Sequence, residues 1–339
     1  MFSESDLDEA AAAGAIPPDE VERLRRFQSE RRRTPGIDEE EFRLVTGFND
    51  IFVSLAAIIA LFAVAALGSA LAPPLGAAAV AAASFWLAFL FTAKRRMALP
   101  SIILLGAFVL GVGGTISLLG GEALAAIAAA VAALVHWRFF RVPITVAFGT
   151  GALVILWLSL ASGSSWNDGT GFLTAMLFAG LAVFALAMWW DRSDPGRVTR
   201  RSDIAFWLHL QAATLIVHPL FWLTGLAQGS ATPGGAAIVM IVYVALNLVA
   251  LAIDRRALLV SALAYVLFAL GSLMIKMGPS GLAVPLTALV IGSALLLLSA
   301  LWHHARRGFV RRLPTQWRHW LPDLDRQPIQ PTVSPAPAA

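Results

Sequence analysis

Between Ile51 and Ala305 the chain holds only 12 basic and 6 acidic residues. A soluble domain carries about 25% charged residues, and so sparse a stretch cannot coat a globule in water. This excludes a soluble protein and predicts an all-α integral membrane protein, because a helix satisfies its own backbone in lipid. The charges sit instead at the two ends. Of 21 acidic residues, 13 precede Ile51, and of 25 basic residues, 13 precede Ile51 or follow Ala305. Cys is absent, which removes disulfides, thiolate metal sites and Cys nucleophiles together. The net charge is only +4, with bases at expected membrane edges, so orientation accounts for them better than nucleic acid does. The first 50 residues are mixed in charge and show no cleavable signal-peptide pattern.

A helix needs about 20 apolar residues to cross the hydrocarbon core. Breaking the central stretch at charges and Gly/Pro clusters gives ten spans, near 51–71, 74–93, 97–119, 122–137, 142–161, 170–190, 204–225, 236–253, 257–275 and 282–302. Charge placement tests that count. Alternate loops, at Lys94 to Arg96, Arg138 to Arg141, Asp191 to Asp203 and Asp254 to Arg256, carry 11 bases, and the other five loops carry Lys276 alone. The positive-inside rule places the basic loops in the cytoplasm, with both termini inside. Trp137, Trp189, Trp190, Trp207 and Trp302 mark the inner ends and Trp157, Trp166 and Trp222 the outer ends, as interfacial anchors do. Residues 94–121 and 254–281 also echo one another at an offset of 160, through Arg95/Arg255, Ser101/Ser261 and Gly111/Gly271. Parallel repeats of a hairpin would produce that echo.

The ends predict smaller units. Residues 1–48 read as a cytoplasmic helical hairpin: a short helix stopped at Gly14, then a second opened by Pro17-Pro18-Asp19-Glu20. Val21, Leu24 and Phe27 form its apolar stripe. Residues 49–304 form the transmembrane bundle. In residues 305–326, Arg306, Arg307, Arg311 and Arg312 are interleaved with Phe309, Leu313 and Trp317. This mixture suits an interfacial segment on anionic headgroups, so Arg306, Arg307, Arg311, Arg312 and Trp317 are the expected lipid contacts. Residues 327–339 form a Pro/Ala-rich tail expected to be disordered.

The N-terminal motif Leu7…Gly14-Ala15-Ile16-Pro17-Pro18-Asp19-Glu20…Leu24, followed by many spans, resembles a bacterial family of polytopic membrane proteins of unknown function. The resemblance implies the bacterial inner membrane and a helical hairpin before the bundle. It implies no catalytic residue.

Polar residues inside spans are the default place to look for function. No Asp, Glu, Lys or Arg falls deep within any expected span, which argues against carboxylate-coupled transport and paired-carboxylate or di-metal chemistry. Span seven is the exception in polarity. Gln211, Thr214 and His218 share one helical face, His209 points away from it, and Pro219 follows. Tyr243 and Asn247 in span eight lie one turn apart, at a depth where Asn247 could meet Gln211 across the hairpin. Gln211, Thr214, His218, Tyr243 and Asn247 are therefore the candidate ligand residues, with interhelical hydrogen bonding as the plainer reading. Gly111, Gly113 and Gly114 in span three, and Gly149 and Gly151 in span five, suit close helix packing better than unwound helix. His136, His209, His303 and His304 lack the matched facing positions haem needs, so no cofactor and no metal are expected. The reading is a multi-pass permease for a small neutral or amphipathic solute. The alternative is a non-catalytic scaffold whose N-terminal segment recruits a cytoplasmic or membrane partner; an enzyme is less favoured than either.

Overall fold

The computed structural model describes residues 17, 19–21, 23, 48–162, 169–194, 197, 199–225, 233–255, 283–314 and 321. Among them the structure is helical, with no strand. The long helices are α1 (Phe48–Leu71), α2 (Pro73–Ala88), α3 (Ala98–Gly120), α4 (Glu122–Phe140), α5 (Ile144–Ser162), α6 (Gly169–Arg192), α7 (Arg200–Leu223), α8 (Pro233–Ile253) and α9 (Ala283–Val310). A π-helical turn, Phe89–Lys94, prolongs α2. Seven helices, α1 to α7 with α2 taken through Lys94, are long and apolar enough to cross a membrane. They match the first seven expected spans, and α8 and α9 lie over the eighth and tenth. The expected span 257–275, with residues 256–281 of the second copy of the internal repeat, lies outside the described residues.

The boundaries follow from local chemistry. Ala72 is extended and Pro73 occupies the first helical turn of α2, where a missing N–H costs nothing. Gly121, at φ 89°, separates α3 from α4. Arg141 takes the left-handed conformation that ends α4, its amide donating to the Trp137 carbonyl at 3.0 Å. Such short connections fold consecutive helices back as antiparallel hairpins. The helix α3 packs on α1, α2, α4 and α5, and α7 packs on α5, α6 and α8; α8 also meets α9.

Glycine sets two of these approaches. A Cβ on Gly111 would meet the Ala77 carbonyl and Ala81 amide of α2 at 2.9 Å, and one on Gly180 would meet Leu215 of α7 at 2.9 Å. Both α3 and α5 run unbroken through their glycines, as the packing reading expects. Outward surfaces are apolar: Phe62, Leu67 and Leu71 of α1, Trp86 of α2 and Phe178 of α6 are each more than 60% exposed. Large apolar side chains left exposed in this number suit helices long and apolar enough to cross a membrane. At the N-terminal side, the amides of Glu20 and Val21 donate to the Pro17 carbonyl, and Val21 is buried.

The burial is uneven. Of the apolar stretch of α7, 56% is buried, against 17–28% for the other six span-length helices. Ile204, Leu208 and Ala212 of α7 join a core with Leu105, Val109, Ala132 and Ala133 of α3 and α4. Ala213 joins a second core with Ala250, Ile253 and Trp302 of α8 and α9. The least apolar span is thus the most enclosed, shared between two halves of the bundle.

Candidate functional site: the polar stations of α7

The helix α7 begins where Thr199 caps it, its hydroxyl accepting from the Arg201 amide at 3.2 Å. Asp194 holds that cap, accepting from the Thr199 amide at 2.9 Å and its hydroxyl at 2.6 Å. Nine residues along, about 14 Å at the helical rise, stands His209, which is fully buried. Its Nε2 lies 2.7 Å from Asp191 Oδ2, in the last turn of α6. Phe184 meets the ring edge to face, with centroids 5.5 Å apart. The same carboxylate takes the Arg255 guanidinium from the end of α8: Nε donates to Oδ1 at 3.1 Å and Nη2 to the same oxygen. Arg255 is 2% exposed and also donates to the Ser202 carbonyl at 3.0 Å and its hydroxyl at 3.1 Å. Ser202 and His209 are seven residues apart and so share one face of α7.

A second carboxylate extends the network to α9. Asp254, at φ 57°, accepts from Trp302 Nε1 at 2.7 Å and lies 3.7 Å from both Arg197 and Arg306. Arg197 donates to the Asp254 carbonyl at 2.9 Å and to the Ile253 carbonyl. One end of α6, α7, α8 and α9 is therefore tied through two acidic nodes, Asp191 and Asp254. Charges withdrawn from solvent require this mutual compensation.

Gln211 lies on the opposite face, rotated by about 200° from His209. Its Oε1 accepts from the Thr150 hydroxyl of α5 at 2.8 Å, and its Nε2 donates to the Ala147 carbonyl at 3.2 Å. Gly151 makes room, since a Cβ there would sit 2.9 Å from Gln211 Nε2.

The expected pairing of Gln211 with Asn247 is not the one formed. Asn247 Nδ2 donates back to the Tyr243 carbonyl of its own helix at 2.7 Å, while Gln211 turns to α5, against which α7 packs. Tyr243 packs on Val217 and Leu246. Thr214 is exposed and bonds the Leu210 carbonyl at 3.2 Å. His218 is half-buried, its ring centroid 6.2 Å from that of Trp222. The five residues thus do not converge on one point. Of the expected lipid contacts, Arg307, Arg311 and Arg312 are exposed, whereas Arg306 is buried against Asp254; Trp317 lies outside the described residues. The helix α9 continues to Val310, so the boundary expected near 304 falls within it.

Asp191, Arg255 and Ser202 were not legible as site residues because each reads as part of a loop. One signal was available. Four of the six acidic residues between Ile51 and Ala305, namely Asp191, Asp194, Asp203 and Asp254, fall in two of the basic loops. Orientation alone needs no acid there, whereas ion pairing does. Among the described residues no group of three or more His, Asp or Glu is arranged to hold a metal ion. No family model, no curated protein and no solved structure matches the chain.

Proposed function

We propose that the protein is a ten-span permease of the bacterial inner membrane, with both termini cytoplasmic, passing a small neutral or amphipathic solute. Seven described helices have the length and apolarity of spans, α8 and α9 supply two more positions, and residues 257–275 supply the tenth. The unequal division of bases among the loops supports the orientation.

The observation that carries the reading is α7 itself. It is the most enclosed span-length helix and yet bears polar side chains on opposite faces, Gln211 toward α5 and His209 toward α6 and α8. Bundle stability alone would be served by apolar residues there. Intramembrane hydrogen bonds average only about 0.6 kcal/mol, so polarity kept at the centre of a bundle is better explained by what passes or moves beside it. Thr214 and His218 continue the Gln211 face outward, and on α8 Tyr243 packs by Val217 with Asn247 one turn on. Arg307, Arg311, Arg312 and Trp317 are assigned to anionic lipid at the inner face.

Purified full-length protein in liposomes tests this. Vesicles carrying it should equilibrate glycerol or urea, or release trapped rhodamine, faster than protein-free vesicles. Gln211→Leu and His218→Leu should return the rate to that of empty vesicles while the protein stays inserted. Rates equal to empty vesicles for all three probes would overturn the reading. Loss of a deletion strain's complementation on removing residues 1–48, with both substitutions harmless, would favour a scaffold recruiting a partner.

A further inference from the structure

We propose that His209 and Asp191 form a buried proton-binding site, and that its occupancy decides whether Arg255 stays latched to Asp191. The inference does not rest on transport; it holds equally for a permease and for a scaffold.

His209 is fully buried, and its Nδ1 has no hydrogen-bond partner among the described residues. Because Nε2 faces a carboxylate, Nε2 carries the hydrogen in the neutral ring and Nδ1 presents a bare lone pair. Leaving a polar atom unpaired in a dry site is costly, so its retention points to a ligand for it. The smallest ligand that fits a lone pair in a packed site is a proton.

The surrounding charges decide what uptake does. From α6 comes Asp191; from the end of α8 come Arg255 and Asp254; from the segment between α6 and α7 come Asp194 and Arg197. The helix α7 adds Asp203 near Arg255, with Arg200 near Asp203, α9 adds Arg306 at Asp254, and α5 carries no titratable residue. With a neutral ring, Asp191 and Arg255 form a closed pair of zero net charge. Hydronium gives its proton to Nδ1 and leaves as water; no covalent bond of the protein breaks. The site then holds two cations on one carboxylate. Like charges a few ångströms apart in a low dielectric repel strongly. His209 is fixed in the middle of a helix, whereas Arg255 follows the last turn of α8 and has a flexible stem. The imidazolium therefore keeps Asp191, and Arg255 swings out and uncovers Ser202, which it otherwise caps.

The absence of native Cys makes this directly measurable. In the full-length chain in lipid nanodiscs, Ser202→Cys is labelled with a maleimide and each rate is divided by that of Ser193→Cys, an exposed control. The ratio should rise about tenfold between about pH 8 and about pH 5, and stay flat when His209→Gln is added. A flat ratio with His209 present, or an equal rise without it, overturns the proposal. A second readout needs no substitution. In ¹⁵N-histidine spectra, the imidazole whose Nε2–H resonance is displaced by a carboxylate hydrogen bond should pass to the imidazolium pattern over the same range. A ring that stays neutral throughout overturns the proposal independently.

Discussion

Asp191 holds two partners at once, and the energetic consequence is asymmetric. Removing one member of a buried ion pair strands the other, at about 3–5 kcal/mol, while replacing both by apolar groups of similar size is often nearly neutral. Asp191→Asn should therefore destabilise the bundle by about that amount, because Arg255 keeps its charge and loses the group that compensates it. The double variant Asp191→Leu/Arg255→Met should recover much of the loss. Unfolding in detergent, followed by helicity, reads both. A cost for Asp191→Asn below about 1 kcal/mol would show the pair to be solvated rather than buried. This residue-level chemistry is also where the sequence was least informative. His209 and Asp191 are 18 residues apart, and Asp191 and Arg255 are 64 apart. No local periodicity links them; only the packing of α6, α7 and α8 does. The face of α7 bearing Gln211 was readable from helical spacing, but its partner was not. Depth alone made Asn247 as suitable as Thr150, and the choice fell to whichever helix α7 packs on.

At the scale of the element, helices in lipid associate without a hydrophobic drive between them, so backbone approach and shape matter most. The glycines divide accordingly. At Gly180, an added Cβ would press on Leu215 backbone and side-chain atoms at 2.9 Å, with no flexible side-chain tip to yield. Gly171, on the same helix, has nothing within 4 Å and is exposed. Gly180→Ala should cost about 1–3 kcal/mol by forcing α6 and α7 apart. Gly171→Ala should lie within about 0.5 kcal/mol of wild type. Unfolding of the two variants side by side in one detergent checks this; equal effects would mean that α6 and α7 do not meet through Gly180. Helix identity was readable from the sequence for a physical reason. A membrane sets the length of an apolar run, and a charge or a Gly/Pro cluster ends it, so α1 to α7 could be bounded without knowing their neighbours. The extension of α2 by a π-turn was not readable. It depends on the Arg95 and Met97 amides reaching back to the Leu90 and Phe91 carbonyls at 3.0 Å, a choice made after the helix has packed.

Across the whole molecule, the turns at the two ends differ in kind. Among the described residues, positive φ falls at the basic end on Arg96, Arg141, Arg197 and Asp254, and at the other end on Gly121 and Gly225. A side chain in that conformation costs about 1–2 kcal/mol, which glycine avoids. Asp254 and Arg197 have an evident compensation, since they carry the network that ties α8 and α9 to α7. Arg96 and Arg141 have no such network role among the described residues, and each occupies a strained position where glycine would be favoured locally. Their charge is what glycine would lose, and charge in short loops is what orients spans. Arg96→Gly/Arg141→Gly should therefore unfold no more easily than wild type, and up to about 2–4 kcal/mol less easily for the two positions together, while weakening the fixed orientation. Phosphatase fusions after Arg96, Trp166 and Ala227 read the second effect. In the wild-type chain the first should be inactive and the other two active in the periplasm. In the double variant, activity should emerge after Arg96 at the expense of Trp166. An active fusion after Arg96 in the wild-type chain would invert the proposed orientation. Unchanged fusions together with raised stability would show that the strained arginines serve something other than topology.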